Sequence, residues 1–267
     1  MKAAVIQIRG DKGLEGNLAA CAHWLARAAE AGAVLAVLPE NFAYYGCREP
    51  AAAAAREAAG DGPARSFLAR EARRHGLWLL GGTLPLGDGG KPFAASLLVS
   101  PDGVEVARYD KIHLFDVDVA ETGRQYRESD DYRHGGDVVV ADTPLGRLGL
   151  SVCYDLRFPE LYRALAAQGA EILAVPSAFT AATGRAHWEL LLRARAVENL
   201  CYVIAADLAD RDHPSRPTWG GSLIVDPWGV VVASLANDEG YAMADIDLER
   251  LRLLRRDMPV HRHRRLQ

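Results

Sequence analysis

Gly32-Ala33-Val34-Leu35-Ala36-Val37-Leu38-Pro39 has a gapless counterpart later in the chain, Gly169-Ala170-Glu171-Ile172-Leu173-Ala174-Val175-Pro176. Each is a short apolar run that stops at a proline, and each follows an amphipathic stretch. A near-continuous apolar run, rather than an alternating one, marks a strand covered on both faces of its sheet. A second pair keeps the same order: Ser96–Val104 and Ser222–Val230 both read as strand, Pro-x-Gly turn, strand, which is a hairpin. The opening Lys2–Ile8 then corresponds to Arg147–Cys153. Two matches in one order point to an internal repeat rather than to chance likeness of apolar strands. Each half reads as strand, helix, strand, helix, strand, hairpin. The helical period predicts helices over Leu14–Glu30, Pro63–His75, Phe158–Gln168 and His187–Leu200. Two such sheets with helices outside give an α/β fold, a four-layer α-β-β-α sandwich with an internal pseudo-two-fold. No linker divides the halves, so residues 1–267 read as one domain, a sandwich to about 245 and then a C-terminal tail. Ala51–Ala55 reads as helix or loop.

The 267 residues suffice for one substantial core. With 49% apolar and 25% charged residues the composition is that of a globular chain, and a net charge of -4 carries no nucleic-acid footprint. No apolar run reaches membrane-spanning length, and Met1–Ile8 reads as a strand rather than a signal peptide. Cysteines at 21, 47, 153 and 201 form no C-x-x-C pair. Neither a metal site nor a disulfide framework is expected, and a reduced, cytoplasmic setting fits.

Lysine occurs only at 2, 12, 91 and 111, so a lysine inside a motif stands out from surface filler. Cys153 ends the run Leu148–Val152, where the chain turns sharply toward a helix. A thiol held there faces a cleft, with following N–H groups available to a developing negative charge; the plainer reading is a small buried hydrophobe. Glu40 follows the Leu38-Pro39 strand end. There it is either a desolvated carboxylate with a pKa lifted toward proton-transfer range or a loop acid facing water. Lys111, past the first hairpin, is either a surface partner of Asp110 or a partly buried ammonium in need of a carboxylate. Together the three are chemically coherent. All sit at strand ends, where α/β sheets gather ligand sites. An ammonium ~4 Å from a thiolate contributes on the order of 4 kcal/mol at an effective dielectric of ~20, which predicts a thiol biased toward its nucleophilic form.

The segments LPENF at 38–42, YDKIHLFD at 109–116, RES at 127–129, CYDLRFPELYRALA from 153, PSAFTAATGRAHWELLLRARAVEN from 176 and VDPWG from 225 resemble the nitrilase superfamily of carbon–nitrogen hydrolases over nearly the whole chain. The resemblance is closest to the Nit branch, with its ω-amidases and deaminated-glutathione amidases. It implies the same sandwich, and dimers or larger homo-oligomers that use helices near the nucleophile and the C-terminal tail. It implies Cys153 as nucleophile, Glu40 as general base and Lys111 as oxyanion lysine. Glu128 is implied as an auxiliary glutamate and the Tyr154 backbone N–H as a second oxyanion donor. No metal or organic cofactor is implied. The chemistry expected is hydrolysis of a small linear amide of keto-acid type through a cysteine thioester with release of ammonia, deaminated glutathione being favoured over α-ketoglutaramate.

For substrate contacts the expectation is Tyr45, Phe115, Arg157, Phe179, Thr183 and His187, with Tyr44 helping to close the pocket and Phe179–Arg185 a loop that shapes it. Three alternatives remain open at this point. A nitrilase or N-carbamoyl amidase would use the same triad. A Cys–His hydrolase would use His113 or His187. A catalytically silent sandwich would serve as an interaction module. His261 and His263, in the Arg-rich tail, suit docking on a partner subunit better than metal binding.

Overall fold

The computed structural model describes residues 1–10, 12–58, 60–120, 122–213 and 216–265. The first half runs β1 (Lys2–Gln7), α1 (Gly13–Glu30), β2 (Ala33–Val37), α2 (Pro50–Glu57), α3 (Pro63–His75), β3 (Trp78–Leu86), β4 (Phe93–Val99) and β5 (Glu105–Asp110). A small hairpin follows, β6 (Asp116–Val119) and β7 (Arg124–Arg127). The second half runs β8 (Val140–Thr143), β9 (Gly146–Leu150), α4 (Pro159–Ala167), β10 (Ile172–Ala174), α5 (Ala181–Asn199), β11 (Tyr202–Ala205), β12 (Leu223–Val225) and β13 (Val231–Ser234). The chain ends with β14 (Gly240–Asp245), α6 (Leu248–Asp257) and α7 (Val260–His263).

Two six-stranded sheets form, in the orders β14-β1-β2-β3-β4-β5 and β13-β12-β11-β10-β9-β8. In each, three central parallel strands are flanked by antiparallel ones. The repeat read in the sequence is therefore a repeat in space. It extends to single hydrogen bonds: Leu38 N donates to Leu80 O and Val175 N to Ile204 O, each at 2.9 Å and each one residue before the strand-ending proline. The two hairpin turns match as well, with Ser100 N bonded to Val104 O and Asp226 N to Val230 O. β14 stands beside β1 as β8 stands beside β9, so the chain's last strand closes the first sheet.

Side chains alternate between two apolar layers, as a pleated strand requires. Ala3, Val5, Leu35, Val37, Leu80 and Leu98 join Leu148, Leu150 and Ile172 of the other sheet. Ala4, Ile6, Ala36, Leu38, Leu79 and Leu97 pack instead under α1 and α3, against Cys21, Leu25, Phe67 and Leu68. On the far side, Leu161, Tyr162, Leu165, Trp188 and Leu192 of α4 and α5 cover the second sheet. The result is the four-layer sandwich.

Helix bounds differ from expectation in one informative place. α5 begins at Ala181, six residues before His187, so Phe179–Arg185 is mostly a helix N-terminus rather than a loop. Glycine and threonine disguise this in the sequence. Gly184 is there for space, because a Cβ on it would collide with the Trp219 side chain. Ala51–Ala55 lies within α2. In the tail, α6 docks on its own chain: Leu251 is fully buried, and Arg255 donates to Leu200 O at 2.9 Å and to Ala170 O at 2.7 Å. Leu266 and Gln267, and Glu121 of the Ala120–Gly136 segment, lie outside the described residues.

Cys153 holds a left-handed backbone, φ 47°, a conformation that costs a non-glycine residue about 1–2 kcal/mol. The turn is held by Cys153 N to Pro176 O at 2.9 Å and by Asp155, which is fully buried. Asp155 accepts from Val152 N at 2.8 Å, Tyr109 Oη at 2.7 Å and His113 N at 3.0 Å, and meets His113 Nδ1 at 2.7 Å. It thus ties the segment carrying Lys111 to the turn carrying Cys153. Asp155→Ala should strand these donors and cost on the order of 3 kcal/mol. Thermal melting should then show a Tm lower by roughly 6–12 °C; an unchanged Tm would remove Asp155 from this role.

Candidate active site

Strand ends converge between the sheets. Glu40 follows the proline after β2, Lys111 follows β5, Cys153 ends the segment after β9, and Ala178 lies two residues past the proline after β10. Lys111 Nζ meets Glu40 Oε1 at 2.8 Å and Glu128 at 2.9 and 2.8 Å. Ala178 N donates to Glu40 Oε2 at 2.8 Å, and Phe115 N to Glu128 Oε2 at 2.6 Å. The lysine is 1% exposed and Glu40 3%, so these charges have exchanged water for one another. Asp110 pairs instead with Arg108 at 2.8 Å. Gly82 permits the approach: a Cβ there would fall on the Pro39 carbonyl, one residue before Glu40.

The electrostatics reverse one expectation. The Cys153 thiol is pushed well above its ordinary range, first by burial and then by the negative charge of Glu40; Lys111 and the Ala178 N–H pull the other way and lose. Lys111 is shared by two carboxylates, so with both ionised the floor of the site carries a formal charge of −1 and does not favour a second anion. Burial and Glu40 together thus hold the sulfur on the thiol side of its equilibrium. For Lys111, burial works against the charge, but Glu128 and Glu40 outweigh it and hold the ammonium protonated. Burial raises the Glu128 carboxyl, reinforced by Glu40 and opposed by Lys111.

The cluster opens into a cavity of about 520 Å³. Of the expected contact residues, Tyr45, Phe115, Phe179 and Thr183 line it, as do Tyr44 and Tyr154. The Tyr154 N–H belongs to the first turn of a short 3-10 segment, Cys153–Arg157, where amides lack an internal partner. Arg157 and His187 do not line the cavity. They meet each other, Nη1 to Nδ1 at 3.3 Å, while the Arg157 guanidinium lies 5.8 Å from the Tyr154 ring and 5.3 Å from that of Phe179. The longer α5 places His187 in its second turn, behind the wall. No histidine is among the lining residues. His113 is held by Asp155 and stacked on Phe158 at 3.7 Å, so the Cys–His arrangement is not formed. Residues the sequence reading missed are Ala178, Tyr126, Tyr132, Arg124, Arg127 and Arg216. Three of these sit on or beside the β6–β7 hairpin, whose signal is the Thr122-Gly123 turn between Val117–Val119 and Arg124–Tyr126.

A family model described as carbon-nitrogen hydrolase matches residues 2–256. This chain belongs to the carbon–nitrogen hydrolase family. The hydrolase is 42% identical over 268 residues to a deaminated glutathione amidase of Yersinia enterocolitica, covering 98% of this chain and 92% of the relative. It is 43% identical over 267 residues to the deaminated glutathione amidase of Homo sapiens, covering 98% of this chain and 81% of the relative. The crystal structure of Saccharomyces cerevisiae Nit3, a member of branch 10 of the nitrilase superfamily, superposes with a TM-score of 0.87 at 31% identity, covering 100% and 97% of the two chains.

The charge pattern of the hydrolase yields a test. Glu40→Gln removes the anion beside Cys153 and leaves Lys111 in place, so the thiol should titrate at lower pH than in the parent. Ultraviolet thiolate absorbance, taken as a difference against Cys153→Ala, reads this directly. Turnover in the same variant should fall by 10²–10⁴-fold, because the proton acceptor is gone. A thiol that titrates higher in Glu40→Gln would mean that the floor is not net negative.

Proposed function

We propose that this protein, acting as one hydrolase domain over residues 1–267, cleaves a small linear keto-acid amide, deaminated glutathione in particular, through a thioester on Cys153. The observation that carries this is the buried Glu40–Lys111–Glu128 cluster set against Cys153 at the floor of the cavity. Glu40 takes the Sγ proton as sulfur attacks the amide carbon. Lys111 Nζ and the Tyr154 N–H receive the charge that forms on the carbonyl oxygen. Collapse of the tetrahedral species breaks the C–N bond while Glu40 passes its proton to the departing nitrogen. Water, deprotonated by Glu40 and oriented by Glu128, then cleaves the thioester to a carboxylate and regenerates the thiol.

The amine released depends on the substrate. α-Ketoglutaramate gives ammonia, whereas deaminated glutathione, cut at its γ-amide, gives cysteinylglycine. Cavity size favours the latter. At about 520 Å³ it falls within the roughly 300–1,000 Å³ of clefts that enclose drug-sized ligands, and a five-carbon keto-amide would occupy only part of it. The names of the relatives support the same substrate. All four cysteines are free, which fits a reducing, cytoplasmic setting, and no helix among the described residues is long and apolar enough to cross a membrane. We propose a homodimer contact where α5 meets the turn of the second hairpin, joined by Arg193 Nε to Gly229 O at 2.8 Å, with Leu190, Val197, Trp228 and Val230 exposed.

A panel assay of amine release tests the reading. The α-ketoglutaryl amide of cysteinylglycine should exceed α-ketoglutaramate, N-carbamoyl amino acids and nitriles in kcat/KM. Cys153→Ala should lose about 10⁴-fold or more in kcat with its melting curve retained. Preferred turnover of a nitrile or a carbamoyl compound would overturn the substrate, and activity surviving in Cys153→Ala would overturn the mechanism.

A further inference from the structure

The signs of charge along the cavity are segregated. Its floor holds Glu40, Glu128 and Lys111, net −1, all buried or nearly so. Its outer wall carries Arg124, Arg127 and Arg216 together with Asp131. Arg127 is a fixed cation, bound to Asp118 Oδ1 at 2.7 Å and to the carbonyls of Val117 and Tyr126 at 3.1 and 2.7 Å. Arg216 is rooted at the wall: Tyr45 Oη donates to its carbonyl, and its own N–H donates to His213 Nδ1 at 2.9 Å. Arg124 is carried on β7, paired with Val119. A molecule that is neutral at one end and anionic at the other is oriented by such a field, its amide at the floor and its carboxylate at the rim.

We infer that Arg124 and Arg216, supported by Arg127, form a subsite for a carboxylate on the amine half of the substrate. The inference rests on the amide-hydrolase reading given above. In a thioester mechanism the acyl half stays on Cys153 while the amine half departs. The departing half therefore lies between the scissile bond and solvent, on the side where Arg127 and Arg216 are exposed and Arg124 is partly so. Guanidinium is the group best matched to a carboxylate, through paired N–H donors. The substrate class so defined is an amide whose amine portion ends in a free carboxylate, as a dipeptide does.

Three substrates sharing the α-ketoglutaryl group test this: the amide of cysteinylglycine, the same compound with its terminal carboxylate converted to a carboxamide, and α-ketoglutaramate. In the parent protein the free carboxylate should be preferred over the carboxamide by about tenfold or more in kcat/KM, chiefly through KM. That preference should shrink as ionic strength rises, since the rim is exposed. In Arg124→Ala, Arg216→Ala and the double variant the ratio should collapse toward one. Equal use of carboxylate and carboxamide by the parent overturns the subsite without any variant having to fold, and so does a ratio retained in the double variant. Failure of the parent to hydrolyse any of the three overturns the amide-hydrolase reading itself. Hydrolysis of all three without discrimination overturns only the subsite.

Discussion

One ammonium shared by two carboxylates, Glu40 buried and Glu128 partly so, is the constraint on which the rest of the site depends. Lys111 sits within 3 Å of both Glu40 and Glu128, and removing it would leave two neighbouring carboxylates with no counter-ion in the interior, a loss of about 3–5 kcal/mol. Such clusters are poor sources of stability, because taking the ions out of water costs about as much as their attraction returns. The reason to hold one here is chemical. Before reaction the negative charge nearest Cys153 is on Glu40. In the proposed mechanism Glu40 takes the thiol proton, and that unit of charge moves through sulfur to the carbonyl oxygen. The total at the floor stays at −1 throughout, and Lys111 faces the charge at its start and its end. Little has to reorganise, which is the condition under which fixed charges lower a barrier most. A thiol kept protonated in the resting state follows from the same arrangement.

The repeat explains how residues so far apart in the chain meet. Proline ends both equivalent strands, and the pseudo-two-fold brings these ends together across the sandwich. The residue after Pro39 is Glu40; two after Pro176 is Ala178, whose N–H fixes the second oxygen of Glu40. The same Pro176 accepts from Cys153 N. Half of the site is therefore made of backbone, and it is set by the register of parallel strands that cannot slip without turning their buried faces outward.

This also marks what the sequence could disclose. The strand-ending prolines, the hairpins and the isolated Lys111 are local signals, and the sandwich follows from them; that Glu40, Lys111 and Cys153 act together is implied by the family resemblance. The thiol's titration follows from neither, because it depends on how many carboxylates share one lysine, a count fixed only in space. Arg157 reads as a substrate contact because an anionic substrate needs a cation, and His187 because it opens a predicted helix. A helix that starts at Ala181 turns them behind the cavity wall, and the signal that would have said so, Gly184, is a helix residue chosen to clear Trp219. The arginines of the rim come from the short strand β7, Arg124–Arg127, and from Arg216, where no run is long enough for a periodicity to report its placement.

Asp155 shows how fold stability and chemistry are joined. Its carboxylate binds Tyr109 and His113 on either side of Lys111, and also the N–H of Val152, immediately before the nucleophile. One buried group thus sets the distance between the ammonium and the sulfur while holding Cys153 in a left-handed conformation that its own side chain disfavours. His113, a candidate for acid–base work from its place in the sequence, is consumed in this task, locked against Phe158 with its ring nitrogen on Asp155. With the histidine committed to scaffolding, the proposed mechanism has a carboxylate as the proton carrier, and a carboxylate can serve a thiol of raised pKa only if the two are desolvated together. The burial of Glu40 and Cys153 in one crevice is thus a requirement of the chemistry as much as a product of the packing.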